Sequence, residues 1–190
     1  MKQLKSIALA LVVALGTLSA TAQTTKKVDA PKSKITWLGK KVTGQHEGTI
    51  ALKDGALVFK GKKLAGGNFT VDMTSITVTD LEAGKGKEKL EGHLNADDFF
   101  GSDKFATSKL VFKTIAAKAN NTYTVTADLT IKDITNPITF DIVVNKNDAT
   151  AKLMIDRTKY DIKYGSKSFF DGIGDKAIYD EFELNVNLKF

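Results

Sequence analysis

"EFELNVNLKF", residues 181–190, alternates without a fault. Phe182, Leu184, Val186, Leu188 and Phe190 fall on one side, and Glu181, Glu183, Asn185, Asn187 and Lys189 on the other. Successive side chains of a strand point to opposite faces, so this segment is a strand with one face on a core and one in water. Two-sided patterning of this kind belongs to antiparallel sheets, because parallel strands are buried on both faces.

The same period runs through most of the chain from Val28 onward. Ile35 and Trp37 share a face, as do Phe69, Val71 and Met73. Residues 49–53 and 56–60 flank Asp54-Gly55, which reads as a tight hairpin turn. Residues 109–117 and 122–131 read as strands joined by Asn120-Asn121, a pair that tolerates positive φ. Asn136-Pro137 reads as a turn before Ile138, Phe140 and Ile142. About eight or nine strands separated by turns make an all-β barrel or sandwich.

Two stretches break the rhythm. Residues 80–103, "DLEAGKGKEKLEGHLNADDFFGSD", favour a short helix, with Asn95 as its N-cap and Asp97 and Asp98 in its first turn. Phe99 and Phe100 then need apolar cover, either as a lid over one barrel end or as ordinary core filling. The second stretch, "YGSKSFFDGIGDK" from Tyr164, carries another pair, Phe169-Phe170. Two such pairs on separate loops suggest that both close over one apolar opening.

Residues 151–160, "AKLMIDRTKY", hold the chain's one arginine, in a protein whose Lys and Arg together number 28. Ala151, Leu153, Ile155 and Arg157 share a face, so if the apolar set points inward the guanidinium does too. An interior cation needs a partner, either a protein acceptor or an anionic ligand.

The N-terminus has the layout of a secretory signal peptide. Lys2 and Lys5 precede an apolar stretch over 7–18, and Ala20-Thr21-Ala22 forms a small-x-small cleavage site. The stretch is shorter than the ~20 residues a membrane span requires. Cleavage after Ala22 is expected, leaving residues 23–190 as one domain in the periplasm or secreted. With no cysteine, a lipoprotein anchor and disulfides are excluded, so the core alone must hold the fold. The net charge of +6 is spread as single lysines and Lys-Lys pairs, without the dense basic block that nucleic-acid binding calls for.

In order along the chain, several segments resemble the YceI-like family of exported, lipocalin-like proteins. These are Val28-Asp29 with Ser33-Lys34-Ile35, then "GNFTVDMTSITVTDL", then "EGHLNADDFF" with His93, Leu94, Asp98, Phe99 and Phe100. "ADLTIKDITNPITFDI" follows, through Leu129, Thr130, Thr135 and Pro137, and then "IDRTKYDIKY", through Asp156, Arg157 and Ile162. The chain departs from the family's pattern at Trp37, at Lys40-Lys41-Val42, at Asn95 and at Asp103-Lys104-Phe105. The resemblance implies a single antiparallel eight-stranded lipocalin-like β-barrel with a short helical insertion. It also implies a long apolar cavity, which in some members holds a polyisoprenoid chain, and no established reaction.

The inward positions point to the same class. Trp37, Leu57, Phe69, Val71, Met73, Phe112, Leu129, Phe140, Ile142, Ile155, Phe182 and Leu184 form an apolar set suited to a hydrocarbon chain, or else to a solid core. With Phe99 and Phe169 from the two loops and Arg157, they are the candidate ligand-binding residues. In lipocalins an inward arginine packs against the first strand's tryptophan and closes one barrel end. Arg157 and Trp37 are placed to do likewise, while the alternative has Arg157 gripping a phosphate at the mouth. Expected partners are a lipid or polyisoprenoid ligand and, transiently, a membrane surface, with no cofactor, no metal and no nucleic acid. An enzyme would have to use His93 with Asp97 or Asp98 as an acid–base pair. A solid-core stress-protective protein is the remaining class.

Overall fold

The computed structural model describes residues 22–190, so the signal peptide expected from the sequence lies, up to Thr21, outside the described residues. Its strands are β1 (Gln23–Lys27), β2 (Lys34–Lys41), β3 (Gly44–Lys60), β4 (Lys63–Val78), β5 (Thr107–Ala117), β6 (Thr122–Ile131), β7 (Ile134–Val144), β8 (Asp148–Asp156) and β9 (Ile178–Lys189). One helix, α1 (Lys87–Asn95), lies between β4 and β5. All pairings are antiparallel, in the order β1-β3-β2-β9-β8-β7-β6-β5-β4, and the β3–β4 pairing closes the ring. Eight strands make the barrel, and β1 extends it along Ala56–Lys60 of β3. The sandwich alternative is thereby excluded.

The segment that alternates best becomes a strand paired on both sides. β9 bonds to β2 on one side and, from Glu181 to Lys189, to β8 on the other. On β8, Leu153 and Ile155 are buried as alternation requires.

Three turn and cap expectations are corrected. Asp54-Gly55 is not a hairpin, because β3 runs unbroken through it. The burial phase passes through Gly48 and Leu52, then shifts by one to Gly55, Leu57 and Phe59. A register shift against β4 between Leu52 and Asp54 absorbs the extra residue, so the break is a β-bulge. Glycine is required at 55 by crowding: an added Cβ would lie 2.5 Å from the Phe69 ring. Asn136-Pro137 is likewise inside a strand, β7, where Pro137 pairs with Asp128. β8 pairs with β7 only at Ile142–Val144, so no neighbour there calls for the missing N–H of Pro137. The turn is Lys132-Asp133, with φ of 51° and 59°. Asn120-Asn121 do turn the chain with positive φ, as expected.

Asn95 ends α1 instead of starting it, and its Nδ2 donates to Glu91 O at 2.8 Å. The helix begins after Gly86, which places Leu90 and Leu94 one turn apart toward the barrel. Asp97 and Asp98 follow the helix instead of opening it. α1 packs beside the end of β4, where the Glu91 carboxylate accepts from Val78 N at 2.8 Å. It thus covers a stretch that β5, paired with β4 only over Asn68–Asp72, leaves bare.

Candidate functional site: an apolar cavity along the barrel

The inward faces enclose a cavity of about 170 Å³ running between the two barrel ends. A void of ~150 Å³ lined by aliphatic and aromatic groups already admits a benzene-sized guest. Trp37, Phe69, Val71, Met73, Phe112, Leu129, Phe140, Ile142 and Ile155 all line it, as do Phe99 and Arg157 from the lid end. Phe182 and Leu184 complete the inward set read from the sequence. The rings form a chain of contacts, Phe69 to Phe112 at 5.6 Å and Phe112 to Phe140 at 6.0 Å between centroids.

Two expected residues are elsewhere. Leu57 is fully buried but lies outside the cavity wall. It follows the β3 bulge, on the segment that turns from β2 to pair with β1 and packs into the opposite, basal end. Phe169 sits on an exposed loop, with Lys163 Nζ 5.2 Å from its ring, and does not reach the cavity. The two Phe pairs therefore do not close over one opening. Phe99-Phe100 alone does so: Phe100 meets Phe182 edge-on at 6.1 Å, and Phe99 packs on Phe100 at 5.2 Å.

Some lining residues were passed over although alternation marks them. Ile35 stands two before Trp37, Leu110 two before Phe112 and Ile131 two after Leu129, all on cavity-facing positions. Gly39, in phase with Trp37 on β2, also lines the wall, but a residue without a side chain gives hydropathy nothing to read.

Arg157 is 2% exposed and points inward, as alternation demands. Its partner is not Trp37. Nε donates to Tyr179 O at 3.1 Å, Nη1 to Ile162 O at 2.8 Å and Nη2 to Ile178 O at 3.2 Å. The guanidinium also lies 5.7 Å from the Phe99 ring and 3.7 Å from Asp180 Oδ1. Between Gly39 and Lys41 the β2–β9 register shifts: Gly39 pairs with Phe182 and Lys41 with Ile178. Carbonyls of this bulged stretch of β9 find in Arg157 the donors that β2 does not supply. A lysine lacks the planar fork needed to reach three divergent acceptors, which explains the chain's one exception to lysine. Burial pulls the Arg157 pKa down, and Asp180 and Asp156 oppose that pull. For Asp180, burial pushes the carboxyl up, but hydrogen bonds from Ser166 and Ser168 and the Arg157 charge outweigh it and hold the group below its ordinary value.

Of the two partners read for His93, Asp98 stands beside it and Asp97 does not. The His93 ring packs edge-on against Tyr164 at 4.3 Å and Phe99 at 5.5 Å, with Asp98 3.6 Å from Nε2. Asp97 instead accepts from Lys104 Nζ at 2.6 Å. Among the described residues no group of three His, Asp or Glu side chains is arranged to hold a metal.

A closed antiparallel barrel around an almost wholly apolar cavity defines a ligand-binding barrel protein. Residues 27–190 match the YceI-like domain, and the chain belongs to that family. A UPF0312 protein of Shewanella denitrificans is 31% identical over 86 residues, 45% of this chain and 42% of that protein. A UPF0312 protein of Staphylococcus aureus (strain N315) is 36% identical over 78 residues, 41% of this chain and 43% of its own length. The matched stretch thus spans less than half of either relative. Among solved structures, BcnA of Burkholderia cenocepacia superposes with a TM-score of 0.65 at 23% identity, covering 85% of this chain and 98% of that one. A polyisoprenoid binding domain from Saccharophagus degradans, implicated in plant cell wall breakdown, gives 0.60 at 14% identity over 85% and 95%. At these identities the likeness is one of fold.

Proposed function

We propose that this protein is an exported carrier or store for a long apolar lipid, a polyisoprenoid or acyl chain held in the barrel cavity. The observation that carries the reading is the almost wholly apolar wall from Ile35 and Leu188 at one end to Phe99 and Phe100 at the other. Of the polar side chains on that wall, Ser108 donates to Thr130 O at 2.8 Å and Arg157 is engaged by three carbonyls. Moving a hydrocarbon out of water is favourable by ~0.8 kcal/mol per methylene, so a chain of modest length supplies micromolar affinity without a polar anchor. Export rests on the charge, apolar stretch and Ala-Thr-Ala order of residues 1–22.

Protein purified without detergent, extracted with organic solvent and analysed by mass spectrometry should release a lipid. Val71→Arg, which puts an unpaired charge into the wall, should abolish it. Repeated extraction without lipid, together with no binding of cis-parinaric acid tighter than millimolar, sinks the proposal. Intact mass of protein from the native envelope checks export separately, with a chain starting at Gln23 as the expected result.

A further inference from the structure

Neither end of the barrel offers a way in. The basal end is packed by Val28, Phe59, Leu64 and Leu188, all buried, with Phe59 against Phe190 at 6.4 Å. Leu94 and Phe99, both buried, stop the other end together with Phe100. Where ladders lapse in the wall, other parts of the chain lie over the lapse. α1 covers the end of β4, the Phe112 ring lies against Gly67, and the turn at Arg157–Tyr160 sits beside β7, with Asn136 Nδ2 donating to Lys159 O at 2.9 Å.

The β2–β9 lapse differs. Gly39 faces the cavity there, and a Cβ built on it meets no atom within 4 Å. Opposite it, Tyr179 and Glu181 point outward on β9, with Tyr179 55% exposed, and yet both border the cavity. Above the lapse the strands rejoin at Lys41 and Ile178, and Val42 N donates to Ala177 O at 3.0 Å. From inside, Arg157 holds the carbonyls of Ile178 and Tyr179 away from β2.

We propose that ligand chains enter and leave sideways, through a port between β2 and β9 at Gly39, framed by Tyr179 and Glu181 and held open by Arg157. The port rests on the reading of the cavity as a binding site for an apolar chain. Glycine at 39 is the specificity-determining feature: any side chain there projects into the passage. Arg157 is a positioning residue, since its donors are spent on the frame.

Because the chain has no cysteine, one thiol inside the barrel reports access directly. Leu184→Cys places it on the cavity wall, and its reaction with N-ethylmaleimide under native conditions is followed by mass spectrometry. Adding Gly39→Phe should slow labelling by about tenfold or more, a rise of ~1.4 kcal/mol or more in the barrier to entry. Gly39→Leu serves if the phenylalanine variant does not fold. Phe100→Trp, which thickens the lid, should leave the rate within about twofold, a barrier change of no more than ~0.4 kcal/mol, because the lid is off the path. Unchanged labelling in the folded Gly39 variant, or slowing by Phe100→Trp instead, overturns the port. Stopped-flow binding of cis-parinaric acid separates the two proposals. If the wild-type protein does not bind it while Gly39→Phe still protects the introduced thiol, the passage at Gly39 stands, but the lipid reading fails and with it the port's role for ligand chains.

Discussion

Phe99-Phe100 and Phe169-Phe170 are the same dipeptide on two loops at the same end of the barrel, yet Phe99 is 7% exposed and Phe169 50%. The loops even touch, through His93 and Tyr164. What separates them is the backbone around each pair. The first follows α1 and is folded back on it: Phe100 N donates to Leu94 O, Gly101 N to Ala96 O and Ser102 N to Asn95 O. That closed unit turns its rings onto Phe182 and the cavity. In the second, the N–H groups of Phe169 and Phe170 both bond to Ser166 O, which fixes the backbone and leaves the rings outside. An aromatic pair is therefore not a lid in itself; the hydrogen bonds that aim it make it one.

The sharpest way to break this contrast is Phe99→Ala. It removes a buried ring from the lid and from the face of Arg157, and should destabilise by about 3–5 kcal/mol. For a domain of this size that lowers the melting temperature by roughly 10 °C. A loss no larger than that of an exposed ring would show that Phe99 does not anchor the lid.

Arg157→Lys comes next, since it keeps the charge but cannot serve three carbonyls. Charge-assisted hydrogen bonds are each worth ~1.5–3 kcal/mol, so a fall of roughly 5 °C is expected. The deficit also has a pH signature. Asp180 has a depressed pKa in the folded state, so its contribution is complete above its unfolded value near ~4 and is lost as pH falls through the lower folded value. The gap between the two melting curves should therefore narrow in strong acid, where the Asp180 contact is lost. It should not close, because the three carbonyl bonds do not titrate. A deficit of the same size at neutral pH and in strong acid would show that Asp180 contributes nothing to the frame.

Smallest of all, Phe169→Ala and Phe170→Ala should each change stability by no more than about 0.5 kcal/mol, as exposed substitutions do. A larger loss in thermal melts would place these rings in the core and erase the contrast with Phe99-Phe100.

The strands were legible because period two is written by burial itself, and Phe69, Val71, Met73 and Ile155 face the cavity as their alternation says. Misreadings fell where two causes leave one signature. At Asp54-Gly55 the alternation slips and a turn-forming pair appears, which fits a hairpin and a bulge equally. Only the partner strand running alongside, with the Phe69 ring pressed to Gly55, distinguishes them. Pro137 was read as a turn because sequence does not show that β8 leaves its side of β7 unpaired. Asn95 carries a side chain fit for either end of a helix, and the glycines before Lys87 decided which. Arg157 was correctly turned inward by counting, but the bulge it serves lies 21 and 22 residues away, at Ile178 and Tyr179, beyond the reach of any local pattern.

The seam between β2 and β9 has a kinetic consequence. Ser33 Oγ accepts from Lys189 N across 156 residues of chain, and the ladder beside it joins the barrel's first strand to its last. No hairpin-by-hairpin assembly completes that pairing; the intervening strands must be in place before the ends meet. Loop closure of this reach comes late and belongs to the slow, millisecond-to-second range of non-local β topologies. Until then β2 and β9 are open edges and the cavity face of Trp37, Phe182 and Leu184 is bare. Ring closure is thus the step at which the molecule stops being prone to self-association and becomes a container.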